Sequence, residues 1–182
     1  NPFGVPDVNS ELKKVLNRDR NSMYPLKIVC AYGEIAYIDS CHVKRNKDLI
    51  LKWKVFISKM NGGAGVLADN KKVSIIGKSY IGEPSSICSG ALISLGNFNT
   101  KEEALNLQKY LKTKFLRLLV GIMKSSQALY QNVYQFVPLQ DFTANSDIDW
   151  NTSIKDIDAQ LYKKYNFSDE EIEYIESKIK EM

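Results

Sequence analysis

Histidine and cysteine are scarce in this chain, with a single His42 and three thiols, Cys30, Cys41 and Cys88, and that scarcity removes several chemistries at once. An odd set of thiols without a CxxC pair gives neither a disulfide framework nor a zinc knuckle, and it points to a reducing cytosol. One histidine without partners supplies no Ser-His-Asp triad. No apolar run approaches the roughly 18 residues of a membrane span. No charged-then-apolar leader opens the chain, and a start at Asn1 fits a piece of a longer protein. The glycine-containing run from Asn61 to Gly65 lacks the Gly-Lys-Ser/Thr ending of a phosphate loop and the strand-to-helix frame of a dinucleotide site, so it reads as a connector.

Two further absences bear on nucleic-acid enzymes. A glycine-rich loop after a strand, with an Asn/Asp-Pro-Pro-Tyr/Phe tetrapeptide, is the expected signature of adenine methyl transfer, and Asn1-Pro2-Phe3 is only a faint echo of it. Pro6-Asp7 with Glu11 and Lys13 spells a metal-nuclease set, yet three intervening residues cannot bridge the two adjacent strands that normally hold such carboxylates around a metal. The chain is therefore expected to hold no catalytic residue, metal or cofactor of its own.

What the chain does contain is an ordinary globular composition, 44% hydrophobic and 25% charged over 182 residues, enough for one domain with a small appendage. Its net charge of +4 hides a split. Residues 1–135 carry 20 Lys and Arg against 10 Asp and Glu, whereas residues 136–182 carry 5 against 11. A basic body with an acidic tail suggests a polyanion partner for the body. The expected division is a body over 1–142 and an acidic helical tail over 143–182.

The longest helical pattern runs from Thr100 to Lys124. Thr100 and Glu103 form a capping box at its start. Ala104, Leu107, Leu111, Phe115, Leu118 and Ile122 recur at three- and four-residue steps as an apolar stripe. Tyr110, Lys114, Arg117, Gly121 and Lys124 share another edge, open to two readings: a cationic rail along a phosphate backbone, or a solvated face.

Around this helix, Leu26–Ala31 and Glu34–Ile38 read as a hairpin, and Lys54–Met60, Val73–Ile76 and Ile87–Leu95 as further strands. Basic residues gather in the turn over 43–48. The segment 125–136 is rich in Gln, Asn and Tyr, side chains that bond base edges or stack on bases. Ile154, Ile157, Leu161 and Tyr165, then Ile172, Ile175, Ile179 and Met182, mark two short terminal helices, the second capped by Ser168 with Glu171. The expected fold is α+β: a mixed, mostly antiparallel curved sheet of about five strands packed on one long central helix, with two short C-terminal helices.

The run NFNTKEEALNLQKYLKTKF, the segment Lys124–Gln127, VYQFVPLQDF, the ending from Asp147 to Met182, and the upstream NPFG, GEIAYI, KWKVFISKMNGG and IGEPSSIC resemble the C-terminal region of fused type II restriction-modification enzymes. Those enzymes carry an N6-adenine DNA methyltransferase module. The resemblance implies a target-recognition domain that holds double-stranded DNA for methyltransferase and nuclease modules upstream in the same chain. S-adenosylmethionine and Mg²⁺ would belong to that parent enzyme. A non-catalytic protein-interaction module is the alternative. The residues expected to meet DNA are Lys44, Arg45, Lys47, Lys59, Asn61, Lys71, Lys72, Lys78, Tyr110, Lys114, Arg117, Lys124, Gln127, Tyr130, Gln131 and Asn132.

Overall fold

The computed structural model describes residues 1–7, 9–61 and 74–182. The chain divides into two compact units, Asn1–Lys59 with Lys78–Ala104, and Met60–Gly77 with Leu105–Met182. The fold is α+β. The boundary falls inside a helix, and the segment after residue 142 belongs to the second unit.

The first unit holds a short helix α1 (Ser10–Val15) and six strands: β1 (Leu26–Val29), β2 (Ile35–Ile38), β3 (Trp53–Ser58), β4 (Ser79–Gly82), β5 (Ser86–Cys88) and β6 (Leu92–Phe98). They form two three-stranded sheets rather than one, in the orders β2-β1-β5 and β4-β3-β6. The expected hairpin is present, with Leu26 opposite Ile38 and Val29 opposite Ile35. Against the other edge of β1, β5 runs parallel, Lys27 beside Ser86 and Val29 beside Cys88. The second sheet is antiparallel throughout. Phe3, Val5, Leu12, Ile28, Phe56 and Ile87 belong to one buried cluster that fills this unit.

Three strand expectations change. Ile87–Leu95 is not continuous, because the chain turns at Gly90 between β5 and β6. A Cβ at Gly90 would lie 2.8 Å from the backbone nitrogen of Asp7, so only glycine permits that approach. Ser74–Ile76 form no strand, although Ile75 and Ile76 are buried; Val73 lies outside the described residues. In β3 the alternation of Val55 and Ile57 with Lys54 and Phe56 does not separate core from solvent. All four are buried, as expected for a central strand covered on both faces.

Lys54 is wholly buried, and its Nζ donates to the carbonyls of Lys52 (2.7 Å), Glu83 (3.3 Å) and Ile50 (3.4 Å). Burial still depresses it to about 8 from the ordinary lysine value.

The helical pattern over 100–124 is two helices, α2 (Lys101–Lys112) and α3 (Lys114–Met123). The box at the start of α2 is formed: Glu103 N–H donates to Thr100 Oγ1 (3.3 Å) and Thr100 N–H to Glu103 Oε2 (3.1 Å). The break lies at Thr113, whose extended backbone makes it the N-cap of α3. Its hydroxyl accepts from Leu116 N–H (3.2 Å) and donates to Tyr110 C=O (2.7 Å), the local bonding by which threonine competes with a continuous helix. The two terminal helices appear as α4 (Ile154–Lys164) and α5 (Asp169–Lys178), the latter with its Ser168/Glu171 capping box.

Because the unfolded lysine stays protonated up to about pH 10.4 while folded Lys54 releases its proton near 8, the unfolded state binds more protons between these values. Stability from this group therefore rises with pH across that window. We expect wild type to gain about 2 kcal/mol on Lys54→Met between pH 7 and pH 10, read from denaturant unfolding of both proteins; the difference cancels the opposing titration of the buried thiols.

Candidate nucleic-acid interface

The edge expected to face DNA or solvent faces neither. Tyr110 (2% exposed), Lys114 (6%), Arg117 (1%) and Lys124 (2%) are buried, and so is Gly121. Each polar end is occupied within the second unit. Tyr110 Oη donates to Pro138 C=O (2.9 Å), and the ring packs edge-on against Trp150. Lys114 Nζ pairs with Glu176 and, at 3.6 Å, with Glu181. Arg117 donates through Nε to Thr113 C=O (3.1 Å) and through Nη1 to Lys180 C=O (2.5 Å). Lys124 Nζ donates to the carbonyls of Asn61 and Ile75. Burial lowers both Arg117 and Lys124 from their ordinary values. These four residues are corrected from surface groups to interior ones. The physical reason is non-local: α5 and the residues after it supply partners that helical spacing alone cannot reveal.

Asp158 of α4, absent from the sequence-based expectations, completes this interior. Its carboxylate accepts the first two amides of α3, Lys114 N–H (3.0 Å) and Phe115 N–H (2.9 Å). Burial raises it to about 6, while those two amides and the Arg117 guanidinium pull the other way. At neutral pH it is an ionised cap on a buried helix end.

Asn61 is also engaged: its N–H donates to Gln127 C=O (3.0 Å), its carbonyl accepts from Lys124, and its Nδ2 donates to Ser74 C=O (3.2 Å). Lys59 is half-buried. Lys71 and Lys72 lie outside the described residues, as do residues 62–65 of the glycine-containing run.

The basic turn of the first unit behaves differently. Lys44, Arg45 and Lys47 are exposed, and none makes an ion pair among the described residues. The turn is fixed through its backbone: Lys44 N–H (3.0 Å) and Arg45 N–H (3.3 Å) both donate to Phe3 C=O, and Asn46, in left-handed backbone, donates through Nδ2 to Pro2 C=O (2.7 Å). Gly4 makes that approach possible, since a Cβ there would sit 2.9 Å from the Cβ of Lys44. Three cationic heads are thus presented from an anchored backbone. Lys78 is exposed in the same unit. No protein-family model, curated protein or solved structure matches this chain.

In the second unit Gln127, Tyr130, Gln131 and Asn132 are exposed on the segment after α3. Leu129 and Val133 are buried beneath them, and a short 3₁₀ turn over Gln131–Tyr134 raises the polar side chains outward. Asp7, Glu11 and Lys13 all lie at the surface, and among the described residues no three His, Cys, Asp or Glu side chains gather as a metal-holding group. Among the described residues no helix is long and apolar enough to cross a membrane.

Since Lys114 and Arg117 are interior groups, their removal should act on folding. Lys114→Ala and Arg117→Ala are each expected to lower the unfolding free energy by about 1 to 3 kcal/mol, measured by denaturant titration. Neither should alter the salt dependence of DNA binding by the folded fraction.

Proposed function

We propose that this chain is a DNA-binding target-recognition module of the restriction-modification kind, holding duplex DNA for methyltransferase and nuclease modules elsewhere in a longer polypeptide. The observation that carries the reading is the turn bearing Lys44, Arg45 and Lys47: three exposed cations, unpaired among the described residues, on a backbone tied to Phe3. Such a group gives sequence-independent phosphate contacts that position a protein on DNA. Sequence choice then falls to polar side chains such as those over 127–132. The excess of basic residues over 1–135 and the resemblance in sequence support the same class. S-adenosylmethionine and Mg²⁺ belong to the parent enzyme on this reading, and its place is the cytoplasm.

A second reading is favoured by one feature of the second unit. Leu118 and Ile122 of α3, Phe167, and Tyr174 and Ile175 of α5 line an apolar groove of about 450 Å³, with Glu170 and Glu171 at its margin. Ile122 is 61% exposed and Tyr174 47%. An apolar floor beside acidic side chains suits a basic, apolar segment of a neighbouring domain, which is the chemistry of a protein-interaction module.

A fluorescence-anisotropy salt titration on duplex DNA tests the first reading. The Lys44→Ala/Arg45→Ala/Lys47→Ala protein should bind more weakly to every sequence, and its plot of log affinity against log salt should be shallower by about 0.9 for each phosphate that the variant no longer neutralises. Ile122→Asp should leave that plot unchanged. Equal affinity and slope for a folded triple variant would overturn the DNA reading.

A further inference from the structure

The groove lined by α3 and α5 has a buried floor and an exposed rim. Ile175 is wholly buried, Leu118 is 7% exposed, and the Phe167 ring is held by Phe115 and Tyr162, with centres 5.6 Å and 5.8 Å away. Beside that floor Ile122 and Tyr174 stay open to solvent. Ile122 ends the apolar stripe that begins at Ala104, and it alone of that stripe is left uncovered. Leu118 and Ile122 stand one turn apart on α3, as do Glu170 and Tyr174 on α5, so the surface repeats at the spacing of a helical turn.

Charge supplies the independent sign. The charged side chains on α5 are all acidic except Lys178, whose Nζ lies 5.9 Å from the centre of the Tyr174 ring. Glu171 is engaged, accepting from Ser168 N–H (2.8 Å) in the capping box, and Glu176 pairs with Lys114. Asp169, Glu170 and Glu173 are exposed and make no ion pair among the described residues. Asp169 and Glu170 favour the start of α5 through its dipole, but Glu173 lies beyond the first turn and gains little there. Across the second unit, exposed Asp and Glu outnumber exposed Lys and Arg among the described residues. An apolar floor beside unpaired carboxylates complements a segment with apolar side chains on one face and Lys or Arg flanking them.

The backbone of such a segment is constrained as well. Helices α3 and α5 bond their own amides and carbonyls, so the groove offers no strand edge, and a bound segment must satisfy its backbone internally, as a helix does. We propose that the groove docks one basic amphipathic helix of a neighbouring protein domain. Aliphatic side chains one turn apart lie against Ile122 and Tyr174, and Lys or Arg beside them meets Glu170 and Glu173. The inference rests on the protein-interaction reading, whose partner it names, and is independent of the Lys44 turn.

The test is fluorescence anisotropy of the full chain with three labelled helical peptides of about 18 residues. One carries leucines on one face and lysines elsewhere, the second has glutamate for every lysine, and the third has alanine for every leucine. Wild type should bind the leucine–lysine peptide about tenfold more tightly than either of the others. Ile122→Ser, at a position 61% exposed and so tolerated by the fold, should weaken that binding about tenfold. Glu170→Gln/Glu173→Gln should weaken it about fivefold, whereas Glu11→Gln/Glu102→Gln, which removes as much charge from the first unit, should leave it unchanged. Equal binding of the lysine and glutamate peptides, both weakened in Ile122→Ser, overturns the basic partner and leaves an apolar docking groove standing. Equal binding of the leucine and alanine peptides, unchanged in Ile122→Ser, is attraction to acidic surface alone and overturns the groove. Binding of none of the three overturns the docked helix and the protein-interaction reading with it.

Discussion

Three cations on one short helix must find partners without water, and the second unit is arranged to supply them. Lys114, Arg117 and Lys124 of α3 and its C-terminal boundary are almost wholly enclosed. An unpaired charge in that position costs several kcal/mol. Glu176 and Glu181 meet Lys114, the Lys180 carbonyl meets Arg117, and the carbonyls of Asn61 and Ile75 meet Lys124. Partners drawn from residues 61, 75 and 176–181 tie distant parts of the sequence to one helix. The aromatic layer follows the same plan: Phe115 stacks on Tyr165 at 5.0 Å and Phe142 packs on Trp150 at 5.3 Å. Residues 143–182 are thus part of this core and not an appendage.

That constraint changes what the charge distribution means. The basic body and acidic tail seen in composition reflect, in part, charges that neutralise one another inside the second unit. A cation whose protons are committed to carbonyls and carboxylates has none for phosphate. The basic residues free to meet a polyanion are those held outward by backbone bonds, above all Lys44, Arg45 and Lys47. On the proposed DNA reading, charge attraction falls to the turn near residue 45 and polar recognition to the segment over 127–132.

Local signals are the legible ones. The capping boxes at Thr100 and Ser168, the β1–β2 hairpin and the buried Ile157, Leu161 and Ile175 of α4 and α5 depend on residues within a few positions of each other, and all are present, whereas the stripe expected to run on to Met182 stops short, with Ile179 just past the end of α5 and Met182 exposed. The break at Thr113 is hidden because Leu111, Phe115 and Leu118 keep helical spacing across it, while the Asp158 cap comes from 44 positions away. Gly90 reads as part of a strand because its neighbours are β-formers, and the reason for the turn is the nearby Asp7 backbone. Lys54 and the stripe of α3 share one cause. Long basic side chains usually signal solvent, and nothing adjacent in sequence reveals the carbonyls that receive them. Of the candidate site, the exposed turn at Lys44 is legible from its composition; the burial of Tyr110, Lys114, Arg117 and Lys124 is not.

Amide hydrogen exchange followed by mass spectrometry, with and without duplex DNA, tests the central claim most directly, because it reads burial and binding together. Peptides over 114–124 should be strongly protected in the free protein and unchanged by DNA, while those over 43–47 and 127–135 should gain protection when the duplex is added. Rapid exchange over 114–124 in the free protein, slowed by DNA, with no change at 43–47, would contradict the account.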